Sequence, residues 1–371
     1  MELFTDRHFF AGWEWSSLIP RPYCAVSMKS PISIAILGAS GYTGEELVRI
    51  CVRHPGMKVA AITSRQFKGK TIEETLAIGG AAGAMKFEDL SPAEVAKKAE
   101  VIFLALPHGV SAEIGNELRT AGKRIFDLSA DFRLKDSKLY EKTYGAVHPA
   151  PGRLAEAVYG LPEIHREKIR QADLVACPGC YPTTAILGLA PAFKAGLVIE
   201  EGIVISSISG VSGAGKKLEA GYLFAECNEN LRAYGVPHHR HRPEIEQELS
   251  AVAGTGIKIS FIPHLAPLNR GMLTSISFPV KKGTTTASLE KEYQKFYQKE
   301  AAVRVLTGEA LPETKRVMGR HGAELAVRVD EWTGRALVVV AIDNLGKGAA
   351  GQAVQCFNIR HGMAEGEGLD W

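Results

Sequence analysis

Short apolar runs alternate with helical patterns between residue 32 and about residue 129. The runs ISIAILG, KVAAITS, EVIFLALP and RIFDLS are typical of buried parallel strands, which lack a polar face. Helical spacing follows in GEELVRICVRHPG, SPAEVAKKA and SAEIGNELRTAG, and Ser91 is a good N-cap for the second of these. This alternation predicts a parallel sheet with right-handed crossovers.

The pattern changes after about residue 177. Longer runs with partial alternation follow, namely GIVISSISG, IKISFIPH, GMLTSISFPV, AELAVRV and ALVVVAID. Few helices separate them, the clearest between Leu289 and Glu300, and GKGAAGQAVQCFNIRHG returns to a helical pattern. We therefore expect an α/β chain in which residues 31–176 form the parallel domain. Residues 177–341 should form an α+β domain with a mostly antiparallel sheet, and a C-terminal helix within residues 342–371 should return to the first domain.

Composition supports a packed core and excludes several classes of function. Of the 371 residues, 46% are hydrophobic and 23% are charged, which is typical of a globular chain. The net charge of +3 comes from nearly balanced basic and acidic residues, so no basic face predicts nucleic-acid binding. No apolar run is long enough to span a membrane. Six cysteines without a repeated spacing do not indicate a disulfide framework, and we expect a reducing, cytoplasmic setting.

Residues 1–30 differ from the rest of the chain. They contain two of the four tryptophans, show no clear period, and lack the charged and apolar regions of a secretory signal. We treat them as an unassigned N-terminal appendage. Met28 precedes the first strand and is an alternative to Met1 as the start of translation.

A glycine-rich loop follows the first strand. ILGASGYTGEELV places Gly38, Gly41 and Gly44 between a strand and a helix, where glycine allows a sharp turn and close approach to a pyrophosphate. The N terminus of the following helix supplies free N–H groups and the positive end of a dipole. This context predicts a Rossmann-type dinucleotide-binding domain. The candidate cofactor-binding residues of the loop are Gly38, Ser40, Gly41, Tyr42, Thr43 and Gly44.

The end of the second strand indicates which dinucleotide binds. Enzymes that use NAD usually place an acidic residue there, about 20 residues beyond the loop, to bind the ribose hydroxyls. This chain has TSRQFKGK, with Ser64 and Arg65 and no acidic residue. A hydroxyl and a guanidinium suit a 2′-phosphate, so we expect NADP(H) as the cofactor. Lys68 and Lys70 are better explained as a solvated loop.

The sequence DLVACPGCYPTTAILGLAPAF contains a Cys-x-x-Cys pair, Cys177 and Cys180, in a strand–turn–helix context. Cys180 falls at the start of the helix, whose N terminus should stabilise a thiolate and lower the pKa of the thiol. A thiolate close to a nicotinamide predicts acyl transfer through a thioester. A metal site lacks further ligands, and we expect no metal. From spacing alone, a redox dithiol and a purely structural pair both remain open.

Two further segments carry candidate chemistry. VPHHRHRPEIEQEL contains His238, His239 and His241, followed by Glu244 at the start of a helix, which could orient one of them. Imidazole is the usual proton donor or acceptor at neutral pH, although an exposed basic turn is the better explanation for any single histidine here. FIPHLAPLNRG adds His264 and Arg270 at a strand end, where a cation could bind a carboxylate or a phosphate.

Taken together, several motifs resemble one family over residues 32–360. They are GASGYTGEELVR, FLALPHG, DLSADFRL, VYGLPE, CPGCYPTT, SGVSGAGK, HHRHRPEIEQ, FIPHLAPLNRGM and DNLGKGAAGQAVQ. The chain resembles the N-acetyl-γ-glutamyl-phosphate reductases, relatives of aspartate-semialdehyde dehydrogenase. The resemblance implies NADPH-dependent reduction of N-acetylglutamyl 5-phosphate to the 5-semialdehyde in arginine biosynthesis, with release of phosphate. It also implies a homo-oligomer, a tetramer or a dimer.

The resemblance also assigns roles to residues. Cys180 would be the nucleophile, and His239 or His241, of which we favour His239, would transfer the proton with Glu244 behind it. Ser129 and Arg133 would face the substrate phosphate. His264 and Arg270 remain candidates for binding the substrate on the residues alone, through a carboxylate or a phosphate. Residues further along the chain would lie near the cofactor, namely Ser209, Gly210 and Asn344. The family often has Asn where this chain has Cys177, so Cys177 inherits no role.

Two other functions fit the same motifs. A lysine-pathway paralogue that reduces a longer acyl phosphate would share nearly all of them, because pocket size is not legible in a sequence. A catalytically idle NADP-binding regulator would share the glycine loop, but the intact Cys180 and histidine segment argue against it.

Overall fold

The computed structural model describes residues 30–216 and 218–371. Residues 1–29 of the N-terminal appendage therefore lie outside the described residues. The choice between Met1 and Met28 as the start of translation lies outside them too. The elements form two sheets, and a C-terminal segment joins the second sheet back to the first.

The first sheet is parallel throughout, as the strand–helix alternation predicts. Its strands are β1 (Ile32–Leu37), β2 (Met57–Thr63), β3 (Val101–Leu104), β4 (Arg124–Asp127), β5 (Val158–Tyr159) and β6 (Leu174–Ala176), in the order β2-β1-β3-β4-β6-β5. The accompanying helices are α1 (Tyr42–Cys51), α2 (Ile72–Leu76), α3 (Pro92–Lys98), α4 (Val110–Thr120), α5 (Ser137–Tyr144) and α6 (Pro162–Ile169). Ser91 caps α3 in a reciprocal pair with Glu94, which satisfies two N–H groups at the start of that helix.

The second sheet is mixed, with antiparallel pairs in the majority, so the predicted fold class is confirmed. Two parallel pairs, β7 with β9 and β11 with β12, were not predicted by the pattern. The elements are α7 (Cys180–Lys194), β7 (Ile203–Gly210), α8 (Phe224–Cys227), β8 (Arg232–Ala233), α9 (His241–Ala253), β9 (Ile259–Ala266), β10 (Met272–Pro279), α10 (Thr286–Tyr297), β11 (Val303–Leu306), α11 (Thr314–Val317), β12 (Ala323–Asp330) and β13 (Arg335–Ile342). Their order in the sheet is β11-β12-β13-β10-β7-β9-β8.

Helix α7 forms the centre of the second domain and is buried along most of its length. Gly188 lets the sheet approach, because a Cβ there would lie 2.4 Å from Cδ1 of Ile276. Pro191 within the helix has no N–H and leaves the carbonyl of Leu187 without its helical partner. The hydroxyl of Tyr297 donates to that carbonyl at 2.5 Å, so α10 satisfies the group that the proline leaves free.

The C-terminal segment returns to the first sheet through a π-helical turn, Gly346–Ala350, and α12 (Gly351–Arg360). Phe357 of α12 packs with Phe103 and Phe126, with ring centroids 6.0 Å apart in both pairs. Apolar contact of this kind holds the C-terminal segment against the first sheet. Within the described part of the chain, no helix is both long enough and apolar enough to cross a bilayer.

Candidate active site

A cleft of about 770 Å³ lies where the first sheet meets loops of the second domain. Its walls include residues that follow the carboxyl ends of β1, β2, β3, β4 and β6, which is where open parallel sheets bind ligands. The second domain contributes residues 212–216 and 240–241, and the C-terminal segment contributes residues 344–345 and 348–349.

Two glycines of the glycine loop pack against neighbouring backbone so closely that no side chain would fit. A Cβ at Gly38, which has a φ of +80°, would lie 2.3 Å from the carbonyl oxygen of Ala105, and a Cβ at Gly44 would lie 2.2 Å from that of Gly38. Gly41 precedes α1, and no side chain caps the helix. The free N–H groups of this first turn therefore face the cleft and fit the pyrophosphate of a dinucleotide. All six loop residues that the sequence predicts for the cofactor line the cleft.

The far end of the cleft carries both a cation and an acid. The Oγ atom of Ser64 donates to Oγ of Ser40 at 2.9 Å. Arg65 is almost fully exposed, with Nε 3.9 Å from Oδ1 of Asp89. The sequence pattern at the end of β2 contains no acid, and Asp89 reaches this point because Glu88 forms an isolated bridge with Thr63. The outer cleft thus offers a guanidinium, but one with an acidic neighbour.

Cys180 is the first residue of α7 and faces the cleft. Gly179 precedes the helix without a side-chain cap, so the thiol lies at a free helix N terminus as expected. Burial nevertheless raises the pKa of the Cys180 thiol to about 11, while the N–H of Tyr181 and the charge of Arg133 act in the opposite direction. The expectation of a lowered pKa is therefore wrong for the free protein, because desolvation outweighs the helix terminus.

Glu244 holds the turn that presents Cys180. Its Oε1 accepts hydrogen bonds from the N–H of Gly179 at 2.9 Å and from the hydroxyl of Tyr159 at 2.8 Å. Its Oε2 lies 3.3 Å from the guanidinium of Arg133, and both side chains are buried. Glu244 thus acts on the cysteine turn, whereas the sequence suggests that it orients a histidine.

Of the three histidines in the segment before α9, His238, His239 and His241, only His241 lines the cleft. A Cβ at Gly179 would lie only 2.5 Å from Nε2 of His241, so the imidazole covers the residue next to Cys180. Burial, and then the nearby charges of His239, Arg133 and Arg240, hold the pKa of His241 well below its usual value. The ring is therefore neutral at neutral pH and can accept a proton.

His239 lies behind His241 and does not line the cleft. Its ring packs against those of Tyr181, Tyr234 and Phe261, and its Nδ1 accepts the backbone N–H of His241 at 3.2 Å. Burial, with a smaller contribution from Arg240, lowers the pKa of His239 to about 4. The geometry favours His241 as the proton-transfer residue, whereas the sequence alone favours His239.

Ser129 and Arg133 line the cleft, but their side chains also hold the protein together. The Oγ atom of Ser129 donates to Oδ2 of Asp127 at 2.7 Å. Arg133 donates to the carbonyls of Cys177 at 2.8 Å and Leu128 at 3.0 Å. A guanidinium with these partners, and Glu244 in addition, has little capacity left for a phosphate.

Four other candidates do not line the cleft. Arg270 pairs with Glu46 at 3.0 Å and with Asp343 at 3.0 Å, which neutralises its charge. The other three are held by hydrogen bonds of the second sheet, and they are Ser209, Gly210 and His264. The cleft wall is instead formed just beyond β7, by residues 212–216.

Asn344 does line the cleft and ties three loops together. Its Oδ1 accepts the N–H of Gly271 at 2.8 Å, and its Nδ2 donates to Oγ of Ser212 at 2.9 Å. In residues 30–216 and 218–371, no group of three or more histidine, cysteine, aspartate or glutamate side chains is arranged to hold a metal ion.

Comparison with known proteins identifies the family. Residues 33–172 match a model described as the NAD binding domain of semialdehyde dehydrogenase, and residues 180–344 match the dimerisation domain of the same enzymes. The chain is 47% identical to an N-acetyl-gamma-glutamyl-phosphate reductase of Moorella thermoacetica, over 91% of this chain and 98% of the relative. It is 48% identical to that of Geobacter sulfurreducens, with the same coverage. The chain belongs to the N-acetyl-gamma-glutamyl-phosphate reductase family.

Membership of the reductase family confirms the resemblance and makes the chain an oxidoreductase of the semialdehyde dehydrogenase type. Solved structures support the same fold. Aspartate semialdehyde dehydrogenase II of Vibrio cholerae, 17% identical, covers 89% of this chain with a TM-score of 0.69, with 98% of its own length aligned. The corresponding enzyme of Candida albicans, 15% identical, covers 89% with a TM-score of 0.66, with 98% of its own length aligned. The NAD binding domain and the glycine loop together assign a nicotinamide dinucleotide as the cofactor.

Several cleft residues of this reductase-family chain were given no role from the sequence. Asp89 lies outside the quoted motifs, whereas Arg240 lies inside HHRHRPEIEQ, in which only the histidines and Glu244 were assigned. Gly348 lies against the candidate nucleophile, because a Cβ there would be 2.9 Å from Cβ of Cys180. Arg240 stands between His239 and His241 in the sequence, and this position was the one feature from which a place in the cleft could have been predicted for it.

Proposed function

We propose that the chain reduces N-acetyl-L-glutamyl 5-phosphate to N-acetyl-L-glutamate 5-semialdehyde with NADPH, releasing phosphate, as a step of arginine biosynthesis in the cytoplasm. The observation that carries this proposal is one shared cleft, which brings Cys180 and the neutral His241 together with the glycine loop. The names of the relatives supply the substrate. The five cysteines within the described residues are all free, in keeping with a reducing compartment.

The proposed reaction begins with the thiol. Because burial raises the pKa of Cys180 and lowers that of His241, the resting pair is a neutral thiol and a neutral imidazole. His241 takes the proton as the sulfur attacks the acyl carbon, the bond from that carbon to the phosphate oxygen breaks, and phosphate leaves. The product of this half-reaction is a thioester on Cys180.

The second half-reaction is a two-electron reduction, for which NADPH held at the glycine loop would supply the hydride. The protein must then release the product. The carbon–sulfur bond of the resulting thiohemiacetal breaks, the aldehyde forms, and the sulfur recovers its proton from the His241 imidazolium. Glu244 keeps Gly179, and with it the sulfur, in place through both halves of the reaction.

NADPH is the expected dinucleotide because Ser64 and Arg65 border the end of the cleft where a 2′-phosphate would lie. A homo-oligomer is the expected assembly, formed through the face of the second sheet opposite α7. Partly exposed apolar side chains on this face include Ile208, Ile262, Leu273, Leu337 and Val339. The family model's description as a dimerisation domain supports this assignment.

The test is the reverse reaction. Purified protein receives N-acetylglutamate semialdehyde, inorganic phosphate and NADP, and NADPH formation is followed by absorbance. We expect phosphate-dependent reduction of NADP that Cys180→Ser abolishes, while NADPH still binds in a fluorescence titration. Activity with the aminoadipate analogue and none with the glutamate semialdehyde would assign the lysine pathway instead. Appreciable turnover by Cys180→Ser would refute the thioester route.

A further inference from the structure

Among residues 30–216 and 218–371, four permanent cations line the cleft, and three of them have an acidic partner. Arg65 lies near Asp89, Arg133 pairs with Glu244, and Lys216 pairs with Glu45. The fourth is Arg240, whose side chain forms no ion pair with any carboxylate of the described residues. An arginine left without a carboxylate in a concave site is available for an anionic ligand.

Arg240 is exposed to solvent at the cleft wall, and its charge acts on the titratable groups around it. It is the residue immediately before α9, and its charge lowers the pKa of both His239 and His241. It also acts on the hydroxyls of Tyr144 and Tyr234, so its electrostatic neighbours are imidazoles and phenols. A cation here weakens the base that the mechanism needs, and a bound anion would offset that effect.

We propose that Arg240 binds an anionic oxygen group of the substrate, either the phosphoryl group or the carboxylate, beside Cys180 and His241. The inference rests on the proposed function for the identity of the substrate. It replaces the expectation that Arg270 has this role, because Glu46 and Asp343 neutralise Arg270 outside the cleft wall. A guanidinium presents parallel N–H donors that fit either a phosphate or a carboxylate.

The first test is the reverse assay with Arg240→Gln, which keeps an amide N–H donor on a shorter side chain and removes the charge. Loss of a charged hydrogen bond corresponds to a rise in KM of roughly ten- to a hundredfold for the group that is bound. A rise confined to inorganic phosphate identifies the phosphoryl group, and a rise confined to the aldehyde identifies the carboxylate. Arg242→Gln is the matched control, because Arg242 lies on α9, outside the cleft wall, and pairs with Glu246. Unchanged values of both constants in Arg240→Gln would overturn the inference.

The second test does not depend on the substrate. Cys180 is alkylated with iodoacetate, which is an anion, and with neutral iodoacetamide, and the ratio of the two rates is taken. The fraction of thiolate cancels in this ratio, so the ratio reports the local charge. We expect Arg240→Gln to lower it severalfold and Arg242→Gln to leave it unchanged; equal ratios in all three proteins would contradict an anion site at Arg240. If the wild-type protein lacks phosphate-dependent activity but the ratio falls, the proposed function fails and the anion site stands.

Discussion

The contact between Gly179 and His241 offers a strict test of the site, through Gly179→Ala. Gly179 has a φ of −68°, which alanine adopts without strain, so the substitution acts through the volume of its methyl group. That Cβ would lie 2.5 Å from Nε2 of His241 and 3.0 Å from a terminal nitrogen of Arg133. Because non-bonded heavy atoms prefer a separation of about 3.5 Å, the imidazole must move by about 1 Å.

The ring has little space into which it can move. The rings of His239 and Tyr181 lie 5.0 Å and 5.9 Å from it, centroid to centroid, and His241 itself is buried. Overpacking of this kind costs about 1–3 kcal/mol of stability. Displacement of a proton-transfer group by about 1 Å costs roughly a hundredfold in rate. We therefore expect kcat of Gly179→Ala to fall by about two orders of magnitude, with the protein still folded.

The measurement is kcat and KM in the reverse assay, with thermal unfolding recorded on the same samples. Gly152→Ala is the control, because a Cβ at Gly152 meets no atom within 4 Å and its φ is not positive. It should match the wild-type protein in both measurements. If Gly179→Ala kept wild-type kcat, His241 would not be the group that moves the proton.

Three further predictions concern the thiols and the cofactor. Arg65→Glu should raise the KM for NADPH far more than that for NADH, because only NADPH carries the 2′-phosphate; equal changes would contradict the assignment of Arg65. Cys177→Ser should retain most of the activity, because Cys177 is buried and burial raises the pKa of its thiol; loss of turnover would return the dithiol interpretation. The iodoacetamide alkylation rate of Cys180 in the free protein should rise about tenfold per pH unit from pH 7 towards its pKa of about 11, and a plateau near neutral pH would show that the thiolate is already formed.

The fold followed from local pattern, and the errors came from contacts between distant residues. Strand–helix alternation predicted the parallel sheet, but the parallel pairing of β7 with β9 depends on which strands meet and not on their own residues. Glu46 lies on α1, far along the chain from Arg270, and no spacing rule reveals that the two form an ion pair. Asp89 reaches Arg65 in the same way, through a bridge beyond the end of β2.

The choice between the two histidines had a different cause. Both lie just where an irregular segment enters α9, so no helical or strand period assigns either side chain to a face. The structure shows that His241 faces the cleft while His239 fills an aromatic pocket behind it. The pKa of Cys180 was misjudged for a related reason, since a helix terminus is visible in the sequence and the burial around it is not.

The return of the chain to the first domain explains how the thiol is kept in place. Gly348 packs against Cβ of Cys180, so any side chain at residue 348 would compete with the thiol for space. The preceding Lys347 is fully buried and donates to Glu163 at 2.6 Å and to Gln355 at 2.7 Å. Because a buried ammonium without partners is costly, these contacts fix the π-helical turn in one position. The turn confines Cys180 on one side, and the hydrogen bond from the N–H of Gly179 to Glu244 confines it on the other. The position of Cys180 therefore depends on both domains and on the C-terminal segment.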